Sequence, residues 1–170
     1  SELSKLSSLK KPNKHIAIFH HKDQVLQKQN FYLMFDRIND PGNLGTIIRT
    51  CHWFGVDQII CSVDSVDCYN SKVVQSSMGS LSKVNVVYTD LIEFIKTTNK
   101  KIIGTSLKSK SISDYNFQNF DGIIVFGSES NGISQEIKKE INDYISIPKT
   151  ASNSTAESLN LSISVAIFLS

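Results

Sequence analysis

Several features that mark other classes of protein are missing from this sequence. Its three cysteines, Cys51, Cys61 and Cys68, are an odd number without C-x-x-C spacing, which argues against a disulfide framework and against a zinc site. No apolar run approaches the ~20 residues that span a bilayer, and the polar start of the chain has no apolar signal-peptide region. We therefore expect a soluble, non-secreted protein of the reducing cytoplasm, with no membrane partner.

The chain also lacks a strong charge excess and the common nucleotide-binding motifs. Lysine plus arginine outnumber aspartate plus glutamate by 18 to 16, a net charge of +2 that does not by itself indicate a nucleic-acid partner. The four histidines have no metal-ligand spacing, and neither G-x-G-x-x-G nor G-x-x-x-x-G-K-[ST] occurs. These absences disfavour a metal site, a dehydrogenase and an NTPase.

What the sequence does contain is a series of short β-rich runs with helical segments between them. Most of these runs are continuously apolar, as is typical of parallel strands covered by helices on both faces. The predicted strands are HIAIF at 15–19, FYLMF at 31–35, QIICS at 58–62, VNVVYT at 84–89, KIIGTSL at 101–107, GIIVFG at 122–127 and YISIP at 144–148. We expect an α/β fold with a short leader over residues 1–29, containing the first strand, and one domain over residues 30–170.

Apolar residues at helical spacing predict the connecting helices. The clearest stripe follows Pro41, ends near Gly55 and consists of Leu44, Ile47, Ile48, Cys51 and Phe54. Asp90 is a natural N-cap for the next helix, and Ser134 precedes a short helix over 135–142. The C-terminal segment LNLSISVAIFLS is apolar on two faces, so besides the sheet it needs a second neighbour in this chain or in another subunit.

Three polar loops follow predicted strands, which is where open α/β sheets bind ligands. NDPGNLGTIIRT at 39–50 contains Asn43 and Arg49, and FGSESNGIS at 126–134 places Glu129 at a strand end. IPKTASNSTAESLNLS at 147–162 is long and polar and carries Ser158 and Asn160. These loops are the candidate ligand-binding segments.

Each loop also has a plain structural interpretation. Asn43 can be a helix cap and Arg49 a surface residue, Glu129 can complement a helix dipole, and the third loop can be a capping motif in a flexible connection. Arginine use favours function, because Arg37 and Arg49 are the only arginines beside sixteen lysines. A planar guanidinium grips phosphate bidentately, which an ammonium group cannot do.

Taken together, the three loops resemble the signature motifs of the SpoU/TrmH branch of the SPOUT methyltransferases. They read N-D-P-G-N-L-G-T-I-I-R-T-C-H-W-F-G, then I-V-F-G-S-E-S-N-G-I-S, then I-P with a later E-S-L-N-L-S, over about residues 30–170. The resemblance implies a C-terminal deep trefoil knot that holds S-adenosylmethionine, a homodimer with sites at the interface, and methylation of a ribose 2′-hydroxyl in tRNA or rRNA. It also implies that residues 1–29 are the linker from a small RNA-binding domain.

The resemblance carries roles to individual positions. The catalytic and substrate-facing set would be Asn43, Arg49, Glu129, Ser158 and Asn160. The cofactor contacts would come from Thr105, Gly127, Ile147 and Leu159. The sequence departs from the family pattern where nine residues separate I-P from S-L-N and where Lys149 replaces a frequent methionine.

Arg49 is the family's proposed base, but a guanidinium resists deprotonation. We expect Arg49 to grip a phosphate and stabilise the emerging alkoxide, and Glu129 to position Arg49 or Asn43. Two alternatives stay open: a SPOUT enzyme that methylates a base, and a non-catalytic RNA-binding module of the same fold. The intact polar set counts against the second.

Overall fold

One six-stranded sheet organises the chain, which the computed structural model describes over residues 5–7, 15, 17–117, 119–150 and 155–170. The strands are β1 (Phe31–Phe35), β2 (Gln58–Ser62), β3 (Asn85–Thr89), β4 (Lys101–Ser111), β5 (Gly122–Phe126) and β6 (Asp143–Ser146). Their order across the sheet is β3-β2-β1-β5-β4-β6, and every neighbouring pair is parallel. The predicted parallel α/β architecture is therefore confirmed.

The strand predicted at 15–19 is wrong for its described residues. Residues 17–19 form no strand, and the side chains of Ile18 and Phe19 are 95% and 83% exposed, while Ile16 lies outside the described residues. An apolar run becomes a strand only where a neighbouring strand pairs with its backbone, and residues 17–19 have no such neighbour among the described residues.

The leader nevertheless packs on the domain from residue 21 onward. Gln24 Oε1 accepts a hydrogen bond from Val86 N at 2.9 Å, on the edge strand β3. Gln58, which is fully buried, accepts from Gln27 N at 2.8 Å and donates to Gln27 O at 2.9 Å. Hydrogen bonds that involve glutamine side chains therefore attach the leader to β3 and β2.

Helices cover both faces of the sheet, as predicted. Their bounds are α1 (Pro41–Trp53), α2 (Ser71–Ser77), α3 (Leu91–Lys96), α4 (Gln135–Lys138) and α5 (Leu161–Leu169), with 3-10 turns at Ser80–Ser82 and Ile112–Asp114. Helices α1, α2 and α5 contribute to the core on one face, and α3 and α4 contribute to the core on the other. No helix among the described ranges is long and apolar enough to cross a membrane.

Two helices differ from the prediction. Helix α2 was not predicted, because its short polar sequence SKVVQSS has no amphipathic stripe; it packs against Gly45, where any Cβ would overlap Ser76. Helix α4 ends at Lys138 instead of 142. Asn142 exchanges two hydrogen bonds with Ile102 on β4, so this stretch already belongs to the entry into β6.

Helix α5 packs on α1 and on the sheet through one of its two apolar faces. Leu161 and Val165 are buried, whereas Ile163 is 52% exposed. One of the two predicted apolar faces is thus covered, and part of the other is accessible.

Candidate active site

The first polar loop leads from β1 into α1 at the carboxyl edge of the sheet. Asp40, and not Asn43, is the N-cap of α1: its Oδ1 accepts from Asn43 N at 2.7 Å, and Pro41 occupies the first turn. Proline fits there because the N–H that it lacks would have had no helical partner. The capping interpretation of Asn43 is therefore wrong, and the Asn43 carboxamide is free to serve the site.

That carboxamide joins all three predicted loops. Asn43 Nδ2 donates to Glu129 Oε1 at 2.5 Å, and Asn43 Oδ1 accepts from Asn160 Nδ2 at 2.9 Å. The partners lie 86 and 117 residues from Asn43 along the chain. The fold thus brings together three of the five residues predicted for catalysis.

The chemistry of the groups determines how these amides are oriented. A carboxylate only accepts hydrogen bonds, so Asn43 must present its NH₂ group to Glu129. Asn160 Oδ1 is the N-cap of α5 and accepts from Ser162 N and Ser162 Oγ, so its NH₂ group must face Asn43. The donor–acceptor sequence therefore runs in one direction, from the start of α5 to the Glu129 carboxylate.

Glu129 lies at the tip of a tight loop between β5 and α4. Ser128 and Gly132 exchange two backbone hydrogen bonds, of 3.2 and 2.9 Å, which close the loop. Gly132 has φ +64°, and any Cβ on Gly127 would overlap the backbone of Gly132 and Ile133. The two glycines are needed for these separate reasons, and they hold Glu129 exposed at the tip.

Arg49 and Ser158 do not join the hydrogen-bonded set. Both side chains are exposed, and Arg49 has no hydrogen bond or ion pair to any residue that the structure describes. Of the two positions predicted to be oriented by Glu129, the structure therefore selects Asn43. A cation and a hydroxyl are left available for a substrate.

A cavity of about 520 Å³ opens beside this set. Its lining includes all four residues predicted to contact the cofactor: Thr105, Gly127, Ile147 and Leu159. Thr105 Oγ1 donates to Val125 O at 3.1 Å, and Lys149 Nζ donates to Ala156 O at 2.8 Å across the third loop. Lys149, which departs from the family pattern, thus connects the two described segments of that loop.

The cavity has apolar walls and a few charged groups. Phe126, Ile133 and Leu161 contribute apolar surface, and the charged groups in the lining are Glu129, Glu157 and Lys138. The third loop supplies Ser158 as well as Glu157. The cavity volume lies in the usual range for a small-molecule site, and the mixture suits a ligand with both an apolar ring and charged groups.

Sequence analysis missed Asp36, which is buried directly after β1. Its Oδ2 accepts from Ser134 N at 2.6 Å and its Oδ1 accepts from Arg37 Nε at 3.0 Å. Asp36 N donates to Phe126 O at 2.8 Å. The residue therefore fixes the first loop to the end of the Glu129 loop. The available signal was an ionisable residue at the end of a continuously apolar strand.

The cysteines are remote from reactive chemistry. Burial raises the pKa of Cys51 to about 12 and that of Cys68 to about 11, and it raises the pKa of Cys61 further. All three are free, and because their raised pKa values keep the thiols protonated, nucleophilic cysteine chemistry is disfavoured at neutral pH. Within the described part of the chain, no three histidine, cysteine, aspartate or glutamate side chains form a potential metal site.

The chain is similar to known proteins in sequence and in structure. The model of the SpoU rRNA Methylase family matches residues 30–170. The 23S rRNA (guanosine(2553)-2′-O)-methyltransferase of Bacillus subtilis is 28% identical over 98% of this chain and 67% of its own length. The 23S rRNA (guanosine-2′-O-)-methyltransferase of Blochmanniella floridana is 35% identical over 81% of this chain and 54% of its own length.

Solved structures give the same grouping. An RNA methyltransferase structure of the TrmH family from Porphyromonas gingivalis superposes with a TM-score of 0.76 and 34% identity, covering 87% of this chain and 60% of that protein. The AdoMet-bound rRNA methyltransferase of Sinorhizobium meliloti superposes with a TM-score of 0.74 and 28% identity, covering 84% of this chain and 55% of that protein. This chain thus spans roughly half to two thirds of the length of these relatives.

Proposed function

This chain belongs to the SpoU rRNA methylase family, and from that membership we propose that it transfers a methyl group from S-adenosylmethionine to a ribose 2′-hydroxyl of tRNA or rRNA. The observation that carries the proposal is the hydrogen-bonded set of Asn43, Glu129 and Asn160 beside the 520 Å³ cavity. This arrangement places a carboxylate and two oriented amides beside a space that can hold a small ligand.

The lining of the cavity suits S-adenosylmethionine in polarity and in charge. Leu159, Ile147 and Phe126 offer apolar surface to an adenine ring, and Thr105 offers a hydroxyl oxygen. The cofactor carries a sulfonium, an ammonium and a carboxylate group, and the cavity presents the complementary charges of Glu129, Glu157 and Lys138. When bound, the cofactor supplies an electrophilic methyl group.

The chain's own residues would position the nucleophile and remove its proton. Glu129 Oε1 is held by Asn43, while Glu129 Oε2 makes no hydrogen bond to a described residue and can accept the proton of a 2′-hydroxyl. Because Asn160 fixes Asn43, the carboxylate is already oriented, and no conformational entropy is lost in orienting it during the reaction. Ser158, on the cavity wall, would orient the nucleotide.

Arg49 would serve the substrate and not the carboxylate. Its exposed guanidinium is unpaired among the described residues, so it can grip a phosphate next to the target and stabilise the emerging alkoxide. Proton transfer to Arg49 is disfavoured because a guanidinium keeps its proton throughout the accessible pH range.

The proposal extends to the knot and to the dimer. Residues 127–133 line the same cavity as Ile147 and residues 157–159, which agrees with a C-terminal segment threaded into a deep trefoil knot. Apolar side chains remain exposed on the two helices that pack on each other: Trp53 on α1 is 85% exposed and Ile163 on α5 is 52% exposed. A second copy of the chain that covers these helices would form the homodimer.

Residues 1–29 are proposed to link the catalytic domain to an RNA-binding domain in a longer form of the protein. The hydrogen bonds of Gln24 and Gln27 support the assignment, because they attach the end of this linker to the sheet. The three free cysteines fit the reducing cytoplasm as the location. Equal RNA methylation by the 170-residue chain and by a longer natural form would contradict the linker assignment.

Methyl transfer from labelled S-adenosylmethionine tests the proposed function. Unmodified transcripts of tRNA and of 23S rRNA are incubated with the protein in the presence of EDTA, and the labelled nucleotide is mapped. We expect the label to disappear when that nucleotide is replaced by its 2′-deoxy form. Label that survives the replacement would indicate base methylation, and calorimetry without heat from the cofactor or its demethylated product would contradict a methyltransferase.

A further inference from the structure

Arg37, one of only two arginines, occupies an unusual backbone position at the carboxyl end of β1. Its φ is +58°, in the left-handed region that side chains with a Cβ rarely adopt. Arg37 N donates to Ser62 Oγ at 2.8 Å, so the last residue of β2 holds the backbone in this conformation. A strained residue that the surroundings maintain is a reason to look for a function.

The Arg37 side chain is oriented by a buried carboxylate. Arg37 Nε donates to Asp36 Oδ1 at 3.0 Å, and the Asp36 side chain is only 4% exposed. The second oxygen of Asp36 accepts from Ser134 N, the backbone of the residue that follows the Glu129 loop. The guanidinium is thus attached both to the first loop and, through Asp36, to the second.

The rest of the guanidinium is available to a ligand. The Arg37 side chain is 34% exposed, and its two terminal nitrogens make no hydrogen bond to any residue within the described ranges. These nitrogens form the planar pair of donors that matches two oxygens of a phosphate, and Asp36 leaves them free by occupying only Nε.

We propose that Arg37 binds a backbone phosphate of the substrate RNA, at a place separate from the nucleotide that Arg49 serves. The inference rests on the proposed function and adds a second phosphate contact to it. RNA is favoured over the cofactor as the source of the anion, because Arg37 is absent from the lining of the cavity. An oriented guanidinium also explains how a chain with a net charge of only +2 can grip RNA locally.

The test compares Arg37→Gly and Arg37→Lys with the wild-type protein. Glycine removes the cation but accepts the positive φ without strain, so this variant is expected to fold. Lysine keeps the charge and removes the paired donors. Lys101→Met is the matched control: it also removes one cation, at the start of β4 on the opposite edge of the sheet.

The measurements are the Kd for a labelled, unmodified 23S rRNA transcript over a series of KCl concentrations, and the Kd for S-adenosylmethionine. We expect Arg37→Gly to raise the RNA Kd by about tenfold and to lower the slope of log K against log salt by about 1. Arg37→Lys should weaken RNA binding with the slope retained. Lys101→Met should leave the RNA Kd within about twofold of wild type, and no variant should change the cofactor Kd.

Wild-type RNA affinity and salt slope in both Arg37 variants would overturn the proposal and leave Arg37 as a counter-ion for buried Asp36. A weaker cofactor Kd with unchanged RNA binding would overturn it as well. Failure of the proposed function gives a different result. If the wild-type protein showed no methyl transfer while Arg37→Gly still lost RNA affinity, the phosphate site would stand and the methyltransferase activity would be contradicted.

Discussion

The residues at the site divide into those that the fold holds and those that it leaves free. Asn43 and Asn160 have their amide groups fully directed by neighbours, whereas Arg49 is exposed and unpaired among the described residues. An enzyme needs both kinds: fixed groups lower the cost of orientation, and free groups bind the substrate. The single-residue predictions follow from this division.

Replacing Arg49 by lysine tests whether its shape or only its charge matters. We expect Arg49→Lys to fold and bind cofactor as wild type but to lose methyl transfer by about 10²-fold, because lysine lacks the planar pair of donors. Single-turnover transfer to a substrate RNA measures the effect. Wild-type turnover would remove Arg49 from the centre of the mechanism and direct attention to Glu129 and Asn160.

Cys51→Ala, on the same helix, is the matched control. Cys51 is fully buried in the core with Ile47 and Ile48, so its truncation removes packing and touches no substrate. We expect the free energy of unfolding to fall by about 1 kcal/mol while the single-turnover rate at moderate temperature is retained. A large loss of rate in this variant would show that activity here reports stability alone.

At the scale of elements, the start of α5 serves two purposes through one side chain. Asn160 Oδ1 caps the helix by accepting from Ser162 N at 2.9 Å, while Asn160 Nδ2 orients Asn43 at 2.9 Å. The helix cap contributes to stability and the Nδ2 contact contributes to the site. Because different atoms of the amide perform them, the two purposes can be separated by substitution.

Asn160→Asp keeps the capping oxygen and removes the donor to Asn43. We expect nearly wild-type thermal stability, since aspartate caps as well as asparagine, together with a loss of methyl transfer of about tenfold or more. Asn160→Ala should lose the cap too, so we expect its free energy of unfolding to fall by about 1 kcal/mol. Thermal melts and single-turnover rates of both variants provide the test; equal activity of Asn160→Asp and wild type would contradict the orienting role of Nδ2.

Element prediction from sequence succeeded where burial alone decides the structure. Strands β2 and β5 are buried along their whole length and β1 in all but its first residue, and each coincides with a predicted run. Helix α1 follows the predicted stripe from Pro41 to Trp53. Helix α2 and the end of α4 depend instead on neighbours that are distant in the chain, such as Gly45 and Ile102. The local sequence pattern therefore predicts neither helix α2 nor the end of helix α4.

The exposed apolar groups of α1 and α5 form the surface that a second copy of the chain would cover. We expect light scattering to report twice 19.0 kDa, with Ile163 at the interface of the dimer. Ile163→Asp should shift the species toward 19.0 kDa without unfolding it, because this side chain is half-exposed within the protomer.

Ile18→Asp is the control for that experiment, since Ile18 is 95% exposed but lies in the leader. This variant should keep the mass of the wild type. A monomeric wild-type protein at micromolar concentration would remove the interface-built active site from the proposal, and an unchanged dimer in Ile163→Asp would move the interface away from α5.

The parallel α/β class, most of the elements and the three loops in which the site lies follow from the sequence alone, because the spacing of apolar and polar residues is a local property of the chain. Only the tertiary structure decided that Asn43 bonds Glu129 and Asn160, and that Asp36 joins Arg37 to Ser134. These contacts depend on the strand order β3-β2-β1-β5-β4-β6, which places loops about a hundred residues apart at one edge. A single sequence specifies which residues are polar and where strands end, but contacts between distant loops exist only once the strands have paired.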